Sequence, residues 1–170
     1  SSSFAECQDV PIFVVPLNSS TTDLGVPPYT LIAFEVGGSP TRQVIGSDPA
    51  NLSWKVDHSA GSTLMLTIID SKNNTGGIPS QLYNVESGST QSCIPNKPDS
   101  SKLARLSSNV TDNLETCQMW GLTVEGGTKP YTIVLSALNS PVITTVPMGA
   151  QDDVFTYPNR ADPNTQIMGE

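Results

Sequence analysis

The stretch Pro28-Tyr29-Thr30-Leu31-Ile32 returns later as Pro130-Tyr131-Thr132-Ile133-Val134. A chain that repeats its own text about a hundred residues on is constrained to fold as repeated units. Other landmarks recur in the same order. Glu6-Cys7-Gln8 is echoed by Thr116-Cys117-Gln118, Leu52-Ser53-Trp54-Lys55-Val56 by Asp153-Val154-Phe155-Thr156-Tyr157, and Ala60 by Ala161. Two copies of this size suit two small domains better than a solenoid, which needs at least three stacked repeats.

Within a copy the apolar runs are strand-sized. Residues 10–15 and 120–124 follow the cysteines, and 29–36 and 131–138 are bounded in front by Pro and behind by Gly or Asn-Ser-Pro. Leu52, Trp54 and Val56 fall on one face of a strand of period two, as do Leu64, Leu66 and Ile68. Gly37-Gly38-Ser39-Pro40, Ala60-Gly61-Ser62 and Asn73-Asn74-Thr75-Gly76-Gly77 supply turns. A short helix is expected only over 99–106. The predicted class is therefore all-β, two tandem immunoglobulin-like β-sandwich domains with the second lacking its last strands. The expected boundaries are 1–95 for the first sandwich, 96–112 for a linker and 113–170 for the second.

The order Cys-Gln, apolar strand, Pro-Tyr-Thr, Trp54-Lys55-Val56-Asp57, Ala60-Gly61-Ser62, then Ser92-Cys93-Ile94 resembles a group of secreted basidiomycete proteins with tandem sandwich repeats. The second copy keeps Cys117-Gln118 and Gly126-Gly127-Thr128-Lys129-Pro130-Tyr131-Thr132 but departs from the Trp-Val-Asp text. The resemblance implies a fold and no activity. More loosely, size and acidity are similar to the small subunit of heterodimeric fungal laccases.

Cys7 precedes the first strand of its copy and Cys93 follows the last, so a Cys7–Cys93 disulfide is expected to tie the ends together. Cys117 has no second-copy counterpart to Cys93, and aligning Ala60 with Ala161 leaves the equivalent of residues 70–93 without text. Three readings of the odd cysteine stand side by side: Cys117 buried as a small hydrophobe, Cys117 beside a gap that a partner covers, or a Cys93–Cys117 bond that frees Cys7. Asn18, Asn51, Asn73 and Asn109 each begin an Asn-x-Ser/Thr sequon. Together they favour a secreted glycoprotein in an oxidising compartment. Residues 1–6 do not resemble a signal peptide, so a processed mature chain is expected.

Charge and composition narrow the function classes. The net charge is -8, and the eight Lys and Arg are scattered, which gives no footprint for nucleic acid or an anionic membrane. The only histidine, His58, lies in a turn and is expected to be solvated. One His and three Cys assemble no zinc or copper site, and Asp152-Asp153 lacks the spacing of a calcium loop. Asp57, Asp70, Asp112, Glu115, Asp152 and Asp153 show no spacing that selects a glycosidase pair, and the Gly pairs open no helix for phosphate. Trp54 and Trp120 are expected in the core, leaving Tyr83 and Tyr157 as candidates for a sugar platform. The expectation is a non-catalytic chain, without cofactor or metal, that docks on a larger secreted enzyme, specifically a laccase-type oxidase. A wall-surface or adhesion protein and a carbohydrate-binding module are the alternatives.

Overall fold

A computed structural model describes residues 2–16, 23–96 and 102–169. Among them there is no helix, and the chain divides into two compact units, Ser1–Pro95 and Asn96–Glu170.

The first unit carries β1 (Ser3–Ala5), β2 (Asp9–Ile12), β3 (Tyr29–Glu35), β4 (Thr41–Gly46), β5 (Leu52–Lys55), β6 (Thr63–Ile69) and β7 (Tyr83–Glu86). They form a five-stranded sheet in the order β1-β7-β6-β3-β4, with β1 and β7 parallel, and a two-stranded sheet β2-β5. The alternation of Leu-Ser-Trp-Lys in β5 is read out directly, since Leu52 and Trp54 are buried and Ser53 and Lys55 exposed. Leu52, Trp54 and Val56 pack against Tyr29, Leu31 and Ala33 of β3, Leu64 and Leu66 of β6 and Val85 of β7. The two sheets thus share one core in a sandwich-like arrangement. Phe4 of β1 closes one side of it, edge-on to Trp54 at 5.6 Å and stacked on Tyr83 at 5.1 Å. β3 and β6 are apolar on both faces over residues 31–34 and 64–66 because their other face is covered as well: Ile32, Phe34, Met65 and Ile69 are all buried.

The second unit carries β8 (Ala104–Ser108), β9 (Met119–Gly126), β10 (Thr132–Ala137), β11 (Thr144–Pro147), β12 (Val154–Pro158) and β13 (Ile167–Gly169). Its sheets are β12-β9-β8 and β11-β10-β13. Trp120, Leu122 and Val124 of β9 meet Ile133 and Leu135 of β10 in the core, with Leu106, Phe155, Tyr157 and Ile167 packed around them.

Two expectations fail here. The segment expected as helix 99–106 lies partly outside the described residues, and the rest enters β8, whose Leu106 turns inward against Val124 of β9. Local helix formers yield to a free strand edge that offers five paired positions. The linker expected over 96–112 is accordingly not a linker throughout, because β8 belongs to the second unit's sheet. Ser108 contributes further, since Trp120 Nε1 donates to its hydroxyl and to the carbonyl of Val110.

The repeat is structural, with a corrected register. Tyr29 and Tyr131 each open their strand region and donate a hydroxyl hydrogen bond five residues back, to Leu24 and Gly126. Val10 pairs with Trp54 in the first unit and Trp120 with Tyr157 in the second, so Trp54 corresponds to Tyr157 rather than to Phe155. Met65 pairs with Phe34 on β6 and Met168 with Ser136 on β13, which makes β13 the counterpart of β6. Gly61 and Asn164 hold matching left-handed turns at φ 93° and 60°. With no insertion between these markers, the counterpart of His58 is Ala161, and the Ala60–Ala161 match falls away.

Candidate functional site

The cysteine turns are built the same way in both units. Gln8 Oε1 accepts the Ala5 N–H at 2.9 Å, and Gln118 Oε1 accepts the Glu115 N–H at 2.7 Å. The Cys7 N–H donates to Val56 O at 2.9 Å, and the Cys117 N–H to Asn159 O at 3.0 Å. Both cysteines adopt the left-handed conformation, with φ of 58° and 64°, which side chains rarely occupy unless the surrounding bonds impose it. Cys7 is bonded to Cys93 with Cα atoms 5.6 Å apart, whereas Cys117 is a free, exposed thiol. The buried-hydrophobe reading and the Cys93–Cys117 bond are both set aside by this geometry.

Around the disulfide the first unit builds a carboxylate knot on Glu6. Glu6 is buried and accepts the N–H groups of Ala60 at 2.8 Å and Gly88 at 3.2 Å, with Gln91 Nε2 at 3.3 Å. The Ala60 and Gly88 amides hold its pKa below the ordinary carboxylate value against the opposing effect of burial, with a further lowering from Gln91. Thr116 stands in Glu6's place in the second unit.

The strand neighbours differ in the same region. β6 is hydrogen-bonded on one side to β3 and on the other to β7, which continues into the segment bearing Cys93. β13 pairs with β10, and among the described residues its outer edge pairs with no strand. An unpaired edge presents backbone donors and acceptors that can template another strand.

The remaining candidates separate into structural and surface groups. His58 is buried, contrary to expectation. Its Nε2 lies 3.2 Å from Thr41 Oγ1, its ring packs 6.4 Å from that of Trp54, and Nδ1 contacts Asp57 Oδ1 at 3.1 Å without hydrogen-bond geometry. Asp70 is buried at the end of β6 and accepts from the N–H groups of Val26, Lys72 and Asn74 and from Asn74 Nδ2. Burial works to raise its pKa, but these bonds outweigh it and hold the carboxyl at about 2. Asp153 is paired with Lys129 Nζ at 3.1 Å and Asp152 accepts the Gly149 N–H at 3.1 Å, while Asp112 and Glu115 are exposed. Among the described residues no group of three or more His, Cys, Asp or Glu is placed to hold a metal ion. No helix among them is long and apolar enough to cross a membrane.

Trp54 and Trp120 are buried as expected, and Tyr83 and Tyr157 are half-buried rather than exposed. Of the sequons, Asn51, Asn73 and Asn109 are exposed, and Asn18 lies outside the described residues.

No protein-family model matches the chain, and no curated relative was found. The site therefore rests on geometry alone.

Sequence reasoning missed a cleft of about 230 Å³ in the second unit, bordered by Thr144, Tyr157, Arg160 and Asp162. Its signal was legible only in the correct register, which puts Ala161 in the place of the buried His58.

Proposed function

We propose that this chain is a secreted, N-glycosylated, non-catalytic accessory subunit of two immunoglobulin-like sandwich repeats. It docks on a larger secreted enzyme and stabilises it, with a laccase-type multicopper oxidase as the specific partner. The observation that supports this reading is the outer edge of β13. Among the described residues that edge pairs with no strand and leaves its backbone donors and acceptors open. A partner strand added there would gain main-chain hydrogen bonds for affinity and side-chain alternation for specificity. Cys7–Cys93 and the exposed sequons are in keeping with an oxidising, extracellular setting. If the subunit binds only the folded enzyme, it stabilises that enzyme by mass action.

Size-exclusion chromatography of the native chain from culture fluid tests the reading. Co-elution with a larger protein that oxidises phenols, and a longer thermal half-life of that oxidase when the chain is present, are the expected results. Elution alone, at the mass of the chain itself, overturns it.

A further inference from the structure

The cleft of the second unit has an apolar wall of Leu135, Tyr157 and Ile167 and a rim of Thr144, Arg160 and Asp162. Its space is explained by the repeat. In the first unit the His58 imidazole fills the equivalent position, 4% exposed, against Trp54 and within 3.2 Å of Thr41 Oγ1. Tyr157 is the counterpart of Trp54. Thr144 is the counterpart of Thr41, since Thr41 pairs with Ala33 on β3 and Thr144 with Leu135 on β10. Both line the cleft together with Ala161, which brings only a methyl group where the first unit has a ring. An enclosed apolar cavity of about 150 Å³ accommodates benzene, so a cleft of about 230 Å³ that is open on one side has room for one six-membered ring with its substituents reaching solvent.

The rim decides which ring. Asp57, which touches the imidazole in the first unit, is replaced by Arg160, so a cationic ring meets the wrong charge. Asp162, two residues on, brings the opposite sign and equally disfavours an anion. The Arg160 guanidinium, the Asp162 carboxylate and the hydroxyls of Tyr157 and Thr144 make no side-chain hydrogen bond or ion pair to any described residue. A neutral ring carrying hydroxyls answers all of these groups, accepting from Arg160, donating to Asp162 and laying a C–H face on Tyr157.

We propose that this cleft binds a single neutral hexopyranose unit, such as the terminal sugar of a glycan. The site is independent of the docking reading, for it uses neither the outer edge of β13 nor Cys117.

The test is a nuclear magnetic resonance titration of the full chain, ¹⁵N-labelled, with the methyl glycosides of glucose, mannose and galactose, and separately with imidazole and acetate. At least one glycoside should give saturable shifts at Ala161 and Ile167 with a Kd on the order of 1 mM. Ala161→His, which refills the space, should abolish that binding, and Asp162→Asn at the exposed rim should weaken it about tenfold. If Ala161→His does not fold, Asp162→Asn decides. Absence of saturation with every glycoside, saturation by imidazole or acetate alone, or unchanged glycoside binding in a folded variant overturns the proposal.

Discussion

Cys7 and Cys117 sit in the same left-handed turn, with φ of 58° and 64° and the same pattern of backbone bonds, yet only Cys7 is disulfide-bonded. The turn is therefore a property of the repeat and not a consequence of the cross-link. Gln8 and Gln118 each fold a side chain back on the residue three before it, and that local bond holds both cysteines in place.

The difference in bonding predicts a difference in chemistry. Under native, non-reducing conditions a maleimide should label Cys117 alone, and peptide mass spectrometry should recover Cys7 and Cys93 as one linked pair. Cys117→Ser should change stability by no more than about 0.5 kcal/mol, as an exposed side chain away from any network does. Replacing Cys7 and Cys93 together by Ser should cost about 4 kcal/mol in urea unfolding, because the bond closes a loop of 86 residues. Labelling of Cys7 or Cys93 in the native chain would contradict this arrangement.

Asp70 predicts an acid limb of stability for the first unit. Its folded pKa is held at about 2, below the ordinary 3.8. A depressed folded value means that the unfolded chain takes up the proton first, so the contribution is fully present above 3.8 and fades as pH falls towards 2. Asp70→Asn keeps the shape but loses the charge that several N–H donors converge on. It should cost on the order of 2 kcal/mol at neutral pH. The gap from the parent should close as pH falls through that window, as read from urea midpoints at a series of pH values. A gap that stays constant from neutral pH down to about 2 would show that the charge carries none of the stability.

The parts of this fold that were legible in the sequence are those where a local signal has no competitor. Pro-Tyr-Thr followed by an apolar run marked β3 and β10, and the cysteine positions gave the Cys7–Cys93 bond. The register of β12 was not legible, because Phe155 and Tyr157 alternate with exposed residues just as Leu52 and Trp54 do. A slip of two keeps every side chain on its face, and only the hydrogen-bonded pairing of Trp120 with Tyr157 resolves it. β8 was hidden because its partner is an edge of β9 that no local pattern announces. His58 was misread since a polar turn usually faces water, whereas here Trp54 and Thr41 draw the ring inward. The cleft depended on that same residue.

The correspondence of His58 with Ala161 predicts an asymmetry between two reciprocal substitutions. His58→Ala removes a buried ring from its contact with Trp54 of β5 and its bond to Thr41 of β4. Its cost should be about 2 to 4 kcal/mol, the range for emptying a packed site. Ala161→His adds a ring to space that already exists and is bordered by Tyr157 and Thr144. That substitution should be neutral or stabilise by up to about 1 kcal/mol, in contrast to the loss expected when a ring is forced into a filled core. Urea unfolding of both variants reads the pair directly. Equal destabilisation by the two changes would mean that the cleft is not the vacancy left by the missing imidazole.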